Sequence, residues 1–129
     1  MLLVIDVGNT NTSLGVYRDD VLLAHWRLTT SPSRTVDEYG VHARNLFELA
    51  HMDVKDIEAI AVASVVPPLN YTVRRMAEVY FNLTPLFIDH TTDTGLKILY
   101  ERRRGFHFHP TVLAAIFNRI GARRQGFVG

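Results

Sequence analysis

Cysteine is absent from the 129 residues. That removes disulfides and thiolate metal ligands, and it agrees with a reducing compartment. Long apolar runs are absent too. The run at residues 2–5 is cut short by Asp6, too short for a signal-peptide core, and no later segment approaches the length of a membrane span. The sequence reads as a soluble, cytoplasmic protein with no membrane partner. Two familiar nucleotide-binding patterns are missing as well: the glycine-rich loop ending in Lys-Ser/Thr, and the spaced glycines of the dinucleotide fingerprint. Aspartate disappears after Asp93 and lysine after Lys97.

What is present is ordinary for one globular domain: 47% hydrophobic and 21% charged residues, enough to bury a sizeable core. The net charge of +1 conceals an asymmetry. Residues 1–100 carry 8 basic against 12 acidic side chains, whereas residues 101–129 carry 6 arginines against Glu101 alone. Basic tails are more often solvated than bound to a polyanion. Aromatic interleaving in the tail is slight and no nucleic-acid fold signature is present, so nucleic acid is not the favoured partner.

Apolar patterning divides the first ninety residues into elements. Residues 2–7 are apolar apart from Asp6, as in a strand covered on both faces, and residues 12–17 alternate as a second strand. Gly8-Asn9 marks the turn between them. A third strand is expected at 21–28. Val36, Tyr39, Ala43, Leu46, Phe47 and Ala50 then recur at helical spacing, with Thr35 and Glu38 as a capping box. A buried strand is expected at 57–66, stopped by Pro67-Pro68. Leu69, Val73, Met76, Ala77 and Tyr80 outline a second helix, and 85–89 a short strand. The order βββαβαβ implies a mixed sheet with helices packed on it. Residues 110–121 have the pattern of one more amphipathic helix.

The end of the first strand carries the chemistry. Asp6 is a carboxylate suited to holding magnesium, which characteristically sits between one or two carboxylates and phosphates. Beyond it, backbone N–H groups, the Asn9 and Asn11 amides and the Thr10, Thr12 and Ser13 hydroxyls are donors for phosphate oxygens. Gly8 permits close approach of backbone to ligand. A plain hairpin uses the same residue types, since Asp and Asn close turns on their own backbone. The residues alone leave both readings open.

"DVGNTNTSLGVY" at 6–17 resembles the first phosphate-binding hairpin of the acetate kinase, sugar kinase, Hsp70 and actin superfamily, and in detail that of the type III pantothenate kinases. "WRLTT" at 26–30, "RTVDEYG" at 34–40, "ASVVPPL" at 63–69 and "GLKILY" at 95–100 resemble the same family in order and spacing. The resemblance implies an α/β, ribonuclease-H-like mixed sheet with flanking helices, the N-terminal half of the acetate kinase and actin type of fold. It divides the chain into a nucleotide-binding half domain at 1–100 and a departing basic tail at 101–129. It implies ATP-dependent phosphorylation of pantothenate, the first step of coenzyme A synthesis, by a homodimer using magnesium and a monovalent cation, K⁺ or NH₄⁺. Asp6, Val7, Gly8, Asn9, Thr10, Asn11, Thr12 and Ser13 would line the ATP phosphates, Asp6 would serve the metal, and Tyr100 would lie against pantothenate.

The family continues after that tyrosine with a Gly-Ala-Asp-Arg element whose Asp takes the substrate hydroxyl proton, and then with a second phosphate hairpin. Here residues 101–110 read "ERRRGFHFHP". The expectation is therefore a truncated reading frame, negligible turnover by this chain alone, and no assignable catalytic residue. A noncatalytic nucleotide-binding or transcription-accessory protein is the alternative.

Other conspicuous residues carry blander expectations. His107 and His109 would share one side of a strand, yet lack an evident third metal ligand. Asp37 and Glu38 suit a helix start rather than a catalytic pair. Trp26 is expected to anchor packing, His25, His42 and His51 to carry no function, and Tyr71, Tyr80 and Phe81 to pack in a core or interface.

Overall fold

A computed structural model describes residues 1–18 and 21–88. The strands are β1 (Leu2–Val7), β2 (Asn11–Arg18), β3 (Val21–Thr29), β4 (Ala59–Ser64) and β5 (Leu86–Phe87). The helices are α1 (Val36–Leu49) and α2 (Asn70–Phe81). Single 3-10 turns precede β4 (Val54–Asp56) and α2 (Pro67–Leu69). The βββαβαβ order expected from patterning is the observed one. Asp89, the expected tail helix at 110–121, Tyr100 and the His107/His109 pair lie outside the described residues.

The sheet order is β3-β2-β1-β4-β5. β1 is central, antiparallel to β2 and parallel to β4, and all six of its residues are buried. Burial of both faces explains why β1 is apolar apart from Asp6, since alternation is needed only where one face meets water. Strand alternation then sorts side chains. Leu3, Ile5 and Val7 join Leu14, Val16 and Val62 in the core that α1 and α2 cover with Tyr39, Ala43, Phe47, Val73, Met76 and Phe81. Leu2, Val4 and Asp6 point to the opposite face, where their laterally paired neighbours on β2 and β4 include Ser13, Gly15, Ala61 and Ala63. Both described helices thus occupy one side, and Asp6 faces the other.

Local rules set the element ends. Thr35 Oγ1 accepts from the Glu38 N–H at 3.2 Å while Glu38 returns a 2.8 Å contact to the Thr35 N–H, the expected capping box. Those contacts hold the Glu38 carboxyl below its usual range. His51 (φ 59°) ends α1 and Asn82 (φ 55°) ends α2 in the left-handed region, where the following chain turns back on orphan carbonyls. Trp26 packs against Phe47 with ring centres 5.4 Å apart and the planes tilted by 36°, the anchoring role expected of it. Phe81 is a core residue, while Tyr71 is 64% exposed and contributes nothing to the core. Among the described residues no helix is long and apolar enough to cross a membrane.

The helix pair meets at Gly40, where a Cβ would overlap the Tyr80 ring. That ring is fixed at its far end, because the Tyr80 hydroxyl donates to Asp37 Oδ1 at 2.6 Å. Asp37 therefore does more than favour the helix start: it ties α1 to α2. Gly40→Ala is expected to lower stability by up to about 2 kcal/mol, since overpacking of about 1–3 kcal/mol opposes the roughly 1 kcal/mol gained in helix propensity. In a Tyr80→Ala background the same substitution should become stabilising. Urea denaturation of the four proteins checks the reversal, and the same sign in both backgrounds would refute the steric explanation.

Candidate functional site

The β1–β2 turn is a tight hairpin in which the Gly8 N–H donates to the Asn11 carbonyl at 2.9 Å, leaving Asn9 and Thr10 at the exposed tip. Residues following β3 brace it. The Thr30 N–H donates to the Thr10 carbonyl at 2.8 Å, and the Thr12 and Thr30 hydroxyls share a hydrogen bond of 2.8 Å. Arg34 Nη2 donates to the Thr29 carbonyl at 3.0 Å, with its guanidinium 5.4 Å from the centre of the buried Tyr39 ring. On the other side, the Val65 N–H donates to the Val7 carbonyl at 3.0 Å, joining β1 to the segment after β4. The "WRLTT", "RTVDEYG" and "ASVVPPL" stretches thus converge on the hairpin and hold it.

Beside this hairpin lies a cleft of ≈ 420 Å³ lined by Asp6, Asn9, Thr10, Asn11, Ser13 and Arg27. Five of the eight hairpin residues marked by the sequence therefore share one cavity. The other three sit differently. Val7 is fully buried in the core beneath the helices, Thr12 is 1% exposed with its hydroxyl bonded to Thr30, and the Gly8 N–H closes the turn. The division follows from the period of two: Asp6 and Ser13 pair laterally on the cleft face, Val7 and Thr12 on the helix face.

Asp6 is 5% exposed, and burial pushes its carboxyl from 3.8 up to about 7. Desolvation penalises the charged form, and a nearby positive charge reverses that penalty. Among the described residues no group of three His, Cys, Asp or Glu side chains is placed to cage a metal. The donor set instead fits a magnesium ion held jointly by one carboxylate and by the phosphates of a ligand.

Sequence reasoning passed over Arg27. Alternation along β3 sets Arg27 on the face opposite Trp26 and Leu28, and the sheet register then pairs it with Ser13, and Ser13 with Asp6.

The fold is a five-stranded mixed sheet with its two helices packed on one face. It is similar to the crystal structure of the ROK hexokinase from Thermus thermophilus, with a TM-score of 0.54 over 69% of this chain and 35% of that one, at 16% sequence identity. A family model described as type III pantothenate kinase matches residues 2–106. The chain is 52% identical over 104 residues to a type III pantothenate kinase of Anaeromyxobacter sp. strain Fw109-5, covering 81% of this chain and 41% of that protein. It is 50% identical over 101 residues to that of Halalkalibacterium halodurans, covering 78% and 40%. The chain belongs to the type III pantothenate kinase family. It spans about two-fifths of the length of these relatives.

Proposed function

We propose that residues 1–100 form the ATP-binding half of an enzyme that phosphorylates pantothenate. The observation that carries the reading is the convergence of Asp6, Asn9, Thr10, Asn11 and Ser13 on one cleft beside a braced hairpin. Phosphoryl transfer asks chiefly for positioning and charge neutralisation. The braced hairpin supplies position: the Asn9 and Asn11 amides and the Thr10 and Ser13 hydroxyls are neutral donors for phosphate oxygens, and the anchored loop limits their motion. Asp6 would hold magnesium, which when bound neutralises phosphate charge. Val7, Gly8 and Thr12 contribute by forming the turn and its underside.

The remaining parts of the reading rest on family membership. On that basis Tyr100 would contact pantothenate, a monovalent cation, K⁺ or NH₄⁺, would assist, and the whole enzyme would act as a homodimer. By sequence, residues 101–129 are a basic stretch, with six arginines against Glu101. No aspartate follows Asp93, so the carboxylate that takes the substrate hydroxyl proton in the family has no counterpart in this stretch. These 129 residues on their own are therefore expected to bind nucleotide with negligible turnover.

Calorimetric titration with ATP and magnesium, alongside an assay for phosphopantothenate, tests the proposal. Expected is magnesium-dependent ATP binding that Asp6→Ala weakens at least tenfold, with negligible product. Absence of ATP binding would refute the clasp, and product formation abolished by Asp6→Ala would refute the missing proton acceptor.

A further inference from the structure

We infer that Arg27, the positively charged side chain lining the cleft among the described residues, binds the polyphosphate chain of the nucleotide directly. The inference rests on the ATP-clasp reading and extends it to a residue outside the hairpin. Asp6, Ser13 and Arg27 lie in register across β1, β2 and β3, so all three project from the same face of the sheet. Neighbouring strands are about 4.8 Å apart, which separates the Asp6 and Arg27 backbones by roughly 10 Å, with Ser13 between them. That span suits a phosphate chain whose metal-bearing side meets Asp6 and whose other side meets a cation.

Charge bookkeeping favours the same assignment. The other hairpin groups lining the cleft, Asn9, Thr10, Asn11 and Ser13, are neutral. One magnesium ion leaves a triphosphate still anionic, so a positive side chain beside it is favourable. Arg27 is exposed on β3, and among the described residues no carboxylate lies within ion-pair distance of it. Its guanidinium remains available for the planar, two-point contact with phosphate oxygens that arginine makes better than lysine. Position in the sheet makes it a dependable element: a strand residue between Trp26, packed on Phe47, and Leu28, packed on the core, has little freedom to drift.

The test compares the full chain with Arg27→Gln, Arg27→Lys and Asp6→Ala, titrated with MgATP, with inorganic tripolyphosphate plus magnesium, and with adenosine. Expected for Arg27→Gln is a loss of tenfold or more in affinity for both MgATP and tripolyphosphate, a shallower dependence of affinity on salt, unchanged adenosine binding, and an unchanged melting temperature. Arg27→Lys should recover part of the loss. If the parent chain binds MgATP and Arg27→Gln binds it equally well, the role of Arg27 is refuted while the clasp stands. If the parent chain binds neither MgATP nor tripolyphosphate, the clasp itself is refuted and the role of Arg27 with it. A fall in melting temperature of Arg27→Gln with equal weakening toward adenosine would show a structural role and overturn the inference.

Discussion

Asp6→Asn is expected to make the chain more stable at pH 8 while removing its magnesium-dependent affinity for nucleotide. In the folded chain burial raises the Asp6 carboxyl from 3.8 to about 7, so between those values the native state holds a proton that the unfolded chain has released. Stability is therefore full below about pH 4, declines as pH rises through the native value near 7, and levels off above it. The ionised carboxylate costs the folded state roughly 4 kcal/mol at the plateau. Asparagine keeps nearly the same shape without the charge. Allowing for the new amide's own needs, a gain of about 2 kcal/mol is expected at pH 8 and almost none at pH 4. Urea denaturation at the two pH values measures it. An equal effect at both would show that burial of charge is not what strains this position. If Asp6 holds magnesium as proposed, a carboxylate kept in an unfavourable place is the cost of that role, and stability and function oppose each other there.

Phe47→Ala should have the largest effect on folding. Phe47 is 1% exposed and lies at the meeting point of sheet and helices, 5.4 Å from the Trp26 ring and 5.5 Å, edge-on, from Phe81. Truncation removes buried area and leaves a cavity, for a loss of about 3–5 kcal/mol. Part of that loss comes from the two aromatic pairs, each about 0.5–1.5 kcal/mol. Phe47→Leu should lose much less. Trp26 is the chain's only tryptophan, so its fluorescence reports both the lost ring contact and the unfolding transition. A loss under about 1 kcal/mol for the alanine variant would mean that the contact between β3 and α1 is not a principal tie in this fold. The consequence for the site is direct, because β3 carries Arg27 and leads into Thr30, which holds the hairpin tip.

Much of this organisation is written in local sequence. The apolar run of residues 2–5, the Thr35–Glu38 box, the helical recurrence of Tyr39, Ala43 and Phe47, and the paired prolines before α2 each act over a few residues, and each specifies its element without knowledge of the rest. The polar break at Asp6 likewise marks the cleft. Family membership, too, is legible in five short stretches kept in order.

Tertiary structure decided what those residues do. The sequence presents Asp6 to Ser13 as one polar cluster, but the pleat sends Asp6 and Ser13 to one face and Val7 and Thr12 to the other. Only the sheet register brings Arg27 beside them. The Tyr80 hydroxyl reaching Asp37, 43 residues away, has no local signature. The elevated Asp6 carboxyl follows from the solvent that folding removes around it, a property of the assembled chain rather than of an aspartate. Backbone preference and apolar period act within a segment; lateral register, burial and electrostatics exist only once segments have met, and the chemistry of this cleft depends on the latter.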